Sequence, residues 1–173
     1  AQLEELTTLV GDLVELARDE PMTRDPAPLD FADVVNQAVY RVRLRAQDVH
    51  IDVDLSPWMV IGEPQLLERA VTNLLDNAAK WSPPDGEIRV RLADGVLTVA
   101  DDGAGINEQD LPHIFDRFYR SSEARTLPGS GLGLSIVKRA AERHGGTVDV
   151  TSTPGGGTTF ALVLPEASAS ELG

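Results

Sequence analysis

One stretch constrains this chain more than any other: Asn73-Leu74-Leu75-Asp76-Asn77-Ala78-Ala79-Lys80. Leu66, Leu67, Ala70, Val71, Leu74, Leu75 and Ala78 recur at three- and four-residue spacing, the pattern of a helix with one buried stripe. Asn73, Asn77 and Lys80 fall at i, i+4 and i+7 and therefore share a second face. Amide oxygens can ligate a hard cation such as Mg²⁺, and an ammonium can meet a phosphate. Taken alone, the same three residues read better as a solvated polar face.

The rest of the chain must supply a core for that helix. Hydrophobic residues are 42% of 173, enough for one compact domain with a short appendage. Aromatic residues are only 5%, so Leu, Val, Ile and Ala must fill the interior. There is no cysteine, which excludes disulfides and thiolate metal sites and suits a reducing compartment. No apolar run approaches the roughly 20 residues of a membrane span, and no signal-peptide pattern is read at the start. The net charge of −13 disfavours nucleic acid and anionic membranes as partners, because both need basic patches. An anionic ligand would need a metal ion and locally placed cations to overcome that field.

In chain order, Leu6, Val10, Leu13 and Ala17, widened by Leu3, Leu9 and Leu16, predict a helix over residues 1–19. It reads as the tail of a dimerising helical hairpin, or as a helix lying on the domain. Pro21, Pro26 and Pro28 mark a linker over residues 20–28. Asp30 caps a helix to about Ala46, with Arg41, Arg43 and Arg45 near its C-terminal dipole. His50–Leu55 alternates as a half-buried strand, with His50 on its surface, and Trp58–Ile61 is a second strand. Pro64 opens the Asn-rich helix. Asp94-Gly95 joins two strands in a hairpin. Asn107 is placed to cap a short helix through Phe115, and 117–129 reads as a mobile loop. A helix follows over 132–143, stopped by His144-Gly145-Gly146, then strands at 147–152 and 158–164 and a frayed tail over 166–173.

Three glycine-rich stretches carry further chemistry. Asp101-x-Gly103-x-Gly105 follows a strand, so a carboxylate and a close-approaching backbone can meet a flat ligand bearing an amine; a plain glycine turn is the alternative. Gly129-Ser130-Gly131-Leu132-Gly133-Leu134 opens a helix whose N–H groups suit an anion; a glycine hinge is the alternative. It is neither the dinucleotide fingerprint nor a Walker A loop. Gly155-Gly156-Gly157-Thr158 alone is a turn between strands.

The order of these pieces, with Phe115-Asp116-Arg117-Phe118 between the second and third, resembles the catalytic ATP-binding domain of sensor histidine kinases. That family belongs to the superfamily that also holds DNA gyrase, Hsp90 and MutL. The resemblance covers about residues 27–165; residues 1–19 resemble the second helix of the kinase dimerisation hairpin. Lys80-Trp81-Ser82-Pro83 is most similar to actinobacterial membrane sensor kinases.

The resemblance implies an α/β two-layer sandwich, a mixed sheet packed on one face by helices (the Bergerat ATP-binding fold). It implies that Asn77 ligates Mg²⁺, with Asn73 ligating or supporting, and that Lys80 reaches phosphate. Asp101 is expected to read the adenine amine, with Thr158 behind it, Gly103, Gly105 and Ile106 shaping the base pocket, and Trp81, where the family has Tyr or Phe, stacking on the base. Gly129, Ser130, Gly131, Leu132, Gly133 and Leu134 are expected to close over the phosphates. Phe115 and Phe118 would anchor a lid, or simply fill core. Arg117 and Arg120 could meet the γ-phosphate, or stay solvated.

ATP-hydrolysing relatives carry glutamate where Asn73 stands. An amide cannot take a proton, which argues for transfer to an external nucleophile rather than hydrolysis. None of His50, His113 and His144 has the setting of a phosphoacceptor, so the acceptor histidine is expected on an upstream helix. The implied partners are Mg-ATP, the chain's own histidine-bearing hairpin in a homodimer, and a response regulator. The implied location is the cytoplasmic side of a membrane-anchored sensor. An ATP-driven clamp and a partner-binding anti-sigma module are the alternatives; Asn73 counts against the first and the helix over 1–19 against the second.

Overall fold

The computed structural model describes residues 2–17, 26–116, 119 and 133–173. Its centre is a helix laid across a five-stranded sheet. The elements in chain order are α1 (Gln2–Ala17), β1 (Ala27–Asp30), α2 (Phe31–Arg45), β2 (His50–Leu55), β3 (Met59–Gly62), α3 (Pro64–Trp81), β4 (Glu87–Ala93) and β5 (Val96–Asp101). A 3₁₀ turn (Leu111–His113), α4 (Gly133–Arg143), β6 (Thr147–Ser152), β7 (Thr158–Val163) and a one-turn α5 (Ala169–Leu172) follow.

The main sheet runs β2-β4-β5-β7-β6; β2 and β4 are parallel and the other pairs antiparallel. Alternation along each strand sends Ile88, Val90 and Leu92 of β4, Leu97 and Val99 of β5, and Phe160 and Leu162 of β7 to one face. The helices cover that face, with α3 packed against both α2 and α4. Leu66, Leu67, Ala70, Val71, Leu74, Leu75 and Ala78 of α3 are all buried, the stripe that the spacing predicts. Burying each leucine contributes about 1.5–3 kcal/mol, which makes α3 the keel of the domain. The expected two-layer sandwich with a mixed sheet is present.

Caps and turns follow local chemistry. Asp30 caps α2, accepting from the Ala32 N–H at 3.0 Å, and the same oxygen accepts from the Trp58 N–H at 3.0 Å. Pro64 sits in the first turn of α3. Asp94 and Gly95 both have positive φ, the geometry that closes a two-residue hairpin between β4 and β5. At the end of α4, Gly146 N–H bonds Ala141 O at 2.8 Å and Gly145 N–H bonds Glu142 O at 3.1 Å, a Schellman stop.

Three expectations change. A strand begins at Ala27, inside the stretch read as linker to residue 28; β1 pairs with β3 in a small separate sheet. Pro28 has no N–H to give a ladder, but an edge strand tolerates that loss. The helix expected from Asn107 to Phe115 is a single 3₁₀ turn over Leu111–His113, because Pro112, in the interior of that span, has no N–H to give the Glu108 carbonyl and its ring crowds it. The tail expected to fray beyond Pro165 has order: Ala167 is buried, its N–H bonds Met59 O at 2.8 Å, and Ser168 and Glu171 form a capping box on α5. Helix α1 forms as expected; its Leu9 packs against Ile136 of α4 while Leu3, Leu6, Val10, Leu13 and Val14 are exposed. It therefore touches the domain and also shows an open apolar face. Among the described residues no helix is long and apolar enough to cross a membrane.

Candidate functional site

The described residues among those the sequence selects fall along the C-terminal half of α3, between β5 with the β6–β7 turn and the start of α4. Asp101 ends β5 and is 4% exposed. Its Oδ1 accepts from the Gly103 N–H at 2.8 Å, and Thr158 lies directly opposite it on β7. Burial pushes the Asp101 carboxyl above its ordinary value; the Gly103 N–H offsets part of that cost. The nearby Arg89 guanidinium is committed elsewhere, forked onto Asp102 at 3.0 and 3.2 Å. That pairing holds Asp102 below the ordinary range. Asp101 is thus a buried acceptor, while its neighbour carries the ion pair.

Two glycines let the turn after β5 fold inward. A Cβ at Gly103 would stand 2.5 Å from the Trp81 carbonyl oxygen at the end of α3. Gly105 has φ of +80° and lies against the Thr153 carbonyl. Gly155 N–H bonds Ala104 O at 2.7 Å, and Ile106 N–H bonds Ser152 Oγ at 2.7 Å. The Asp101–Ile106 turn is thereby tied to the β6–β7 turn that delivers Thr158.

On the other side of α3, Asn73 Nδ2 donates to the Gly133 carbonyl at 3.2 Å. A carbonyl can only accept, so the Asn73 amide nitrogen faces α4 and its oxygen is turned away. Asn77 is half-buried one turn later. These two amides fit a hard cation that keeps most of its ligands as water and phosphate oxygen. Lys80 is exposed and its Nζ lies 5.4 Å from the centre of the Trp81 ring. The structure therefore pairs two residues that the sequence assigns to separate roles.

Phe115 packs edge-on to Phe160, ring centres 6.1 Å apart, so it contributes to the core. Ile106 and Leu134 also pack on the core. Tyr119 donates its hydroxyl to Asp110, and its ring lies 5.3 Å from His113. Arg117, Phe118, Arg120, Gly129, Ser130, Gly131, Leu132 and the mobile loop expected over 117–129 lie outside the described residues.

Two residues at this end of the molecule escape sequence reasoning. Ser152 joins the two turns, yet it ends a strand of ordinary Val-Asp-Val-Thr-Ser composition that carries no signal. Arg89 faces away from the core on β4, and nothing local announces its pairing with Asp102.

Residues 62–168 match the family described as histidine kinase-, DNA gyrase B- and HSP90-like ATPases. The chain belongs to that family, and it carries the ATPase-type catalytic domain of sensor histidine kinases. Within the family it is similar to MprB, a signal transduction histidine-protein kinase/phosphatase. It is 50% identical over 174 residues to the Mycobacterium avium protein, a match covering 95% of this chain and 33% of that protein. The Mycobacterium bovis protein is 49% identical, with 95% and 34% covered. The chain spans about a third of the length of the curated relatives it matches. Among solved structures, the mycobacterial sensor histidine kinase MprB matches at 44% identity and a TM-score of 0.75, over 80% of this chain and 97% of that one. Full-length ShkA in complex with AMPPNP matches at 28% identity and a TM-score of 0.78, over 95% and 36%.

Proposed function

We propose that this chain binds Mg-ATP and delivers its γ-phosphoryl group to a histidine on a partner helical hairpin, for relay to a response-regulator aspartate. The observation that carries the reading is Asp101: a buried carboxyl on a glycine turn, held by the Gly103 N–H, beside a guanidinium already paired with Asp102. Such a group is costly to bury and suits a ligand amine.

In this reading Asp101 accepts from the adenine amine, Thr158 supports it, and Gly103, Gly105 and Ile106 shape the base pocket beside Trp81. Asn77 and Asn73 would hold magnesium, which when bound neutralises phosphate charge. Lys80 leaves the Trp81 ring to meet phosphate when the base stacks there. The Gly129–Leu134 box closes over the phosphates, and Arg117 and Arg120 approach the γ-phosphate. The acceptor imidazole nitrogen attacks in line, forming a nitrogen–phosphorus bond as the bond to ADP breaks and ADP leaves with the electron pair. Asn73 has no basic oxygen to activate water, so transfer outpaces hydrolysis.

The domain organisation that fits this reading is residues 1–19 as the end of the second hairpin helix, 20–26 as linker and 27–165 as the ATP-binding domain. The exposed Leu3, Leu6, Val10 and Leu13 of α1 supply an apolar face for the rest of a dimeric hairpin. The domain would work on the cytoplasmic side of a membrane-anchored sensor.

Calorimetric titration of ATP with Mg²⁺, and again with excess chelator, tests the site. Magnesium-dependent binding that is lost in Asp101→Ala and weakened in Asn77→Ala is the expected result. Addition of a hairpin bearing the acceptor histidine should then yield acid-labile phosphohistidine. A folded chain that binds no ATP even with the hairpin present refutes the reading.

A further inference from the structure

Ser152, the last residue of β6, is the side chain that ties together the two turns flanking Asp101. Its Oγ lies 2.7 Å from Ile106 N, 3.0 Å from Gly157 O and 2.9 Å from Thr158 Oγ1. A count of protons orients this cluster. A backbone N–H can only donate and a carbonyl can only accept, whereas a serine hydroxyl has one proton and two lone pairs. One arrangement satisfies every contact: Ser152 accepts from Ile106, donates to Gly157 and accepts from the Thr158 hydroxyl. The Thr158 proton is then committed to Ser152, and the Thr158 oxygen keeps only lone pairs for its other side.

That restriction falls next to the carboxyl of Asp101. Thr158 is the register partner of Asp101 across β5 and β7, and the two side chains lie on the same buried face of the sheet. Thr158 is itself only 7% exposed, so its hydroxyl has few other partners to turn to. Both side chains at this edge therefore accept hydrogen bonds. A purine with an amine at the edge read by Asp101 matches two acceptors; one with a carbonyl there leaves them facing a third acceptor, at the cost of buried polar groups without a donor.

We propose that Ser152 is a positioning residue for base selectivity: it holds the Thr158 hydroxyl as an acceptor, so that the pocket beside Asp101 takes adenine and rejects guanine. This rests on the nucleotide-binding reading above. In Ser152→Ala the Thr158 hydroxyl regains its rotation and can donate to a purine carbonyl.

The test is the ratio of GTP to ATP dissociation constants, measured with magnesium by calorimetry in the 173-residue chain. Wild type should prefer ATP. Ser152→Ala should lower that preference by about tenfold, and Ser152→Thr, which keeps the hydroxyl, should restore it. Circular dichroism and thermal melting report folding; if Ser152→Ala does not fold, the same ratio in Ser152→Cys, whose thiol is a weak partner, decides. A folded variant that weakens ATP and GTP by the same factor, or changes neither, overturns the role of Ser152 while leaving the ATP site standing. A wild type that binds neither nucleotide overturns both.

Discussion

The backbone of Gly103 rests on the carbonyl of Trp81, so close that a methyl group at residue 103 would stand 2.5 Å from that oxygen. The turn after β5 is in this way set against the last residue of α3. Gly103→Ala must push against backbone, which cannot rotate away as a flexible side chain could. The expected loss is about 1–3 kcal/mol of stability, read as a lower denaturant midpoint, with a further loss of ATP affinity because the Asp101 turn moves. An unchanged midpoint would mean that this contact relaxes without cost.

Asp101 makes the free site pH-sensitive in a defined direction. Its folded carboxyl titrates above its ordinary value of 3.8 because burial disfavours the charge. The folded state therefore holds that proton more tightly than the unfolded chain, and this group's contribution to stability declines as pH rises from 3.8 through the folded value. Asp101→Asn carries no such charge. Its stability relative to wild type should rise as pH increases from about 4 to 7, measured by chemical denaturation without nucleotide, while its ATP affinity falls at least about tenfold.

His144 acts in the opposite sense. Its Nδ1 lies 2.7 Å from Ala140 O, and Glu63 N–H donates to its Nε2 at 3.1 Å, so the imidazole is neutral with its proton on Nδ1. Burial depresses its pKa below the ordinary 6.5. A depressed histidine gives its full stabilisation above the unfolded value and loses it as pH falls from 6.5 through the folded value. Wild-type unfolding free energy should drop in that window by up to about 1.4 kcal/mol per pH unit. His144→Gln should be less stable at pH 8 and show a flatter profile. Equal slopes for the two proteins would remove His144 from the pH dependence.

Asp30 serves two backbone donors with one oxygen, Ala32 N–H in α2 and Trp58 N–H before β3. Asp30→Ala should therefore cost more than a simple cap, about 2 kcal/mol or above. Asp30→Asn, which keeps an acceptor, should recover most of it. Thermal melting of the two variants distinguishes a cap shared by two elements from one that serves α2 alone.

Sequence made some of this legible for physical reasons. The α3 stripe is visible because burial on one side of a helix leaves a 3.6-residue period, and the β4–β5 hairpin because Asp94-Gly95, between two alternating runs, suits two successive positive φ values. The glycines at 103 and 105 point to close approach, though not to what they approach. β1 was hidden because Pro26 and Pro28 imitate a linker, and only the partner strand β3 shows that an edge is available. The docking of Ala167 on Met59 and the reach of Ser152 across two turns are tertiary facts without local trace. Lys80 over Trp81 is a rotamer choice, and spacing on a helix face does not set rotamers.

The strand order β5-β7-β6 has a consequence for how the molecule is made. β6 precedes β7 along the chain, yet β7 lies between β5 and β6 and contributes the Thr158 that faces Asp101. Before β7 arrives, β5 and β6 have no shared ladder and Asp101 has no wall beside it. A ribosome releasing this domain thus exposes two unpaired strand edges until the last of its sheet has emerged. Nucleotide cannot act as a template for the early stages of folding; it can only reward a sheet already closed.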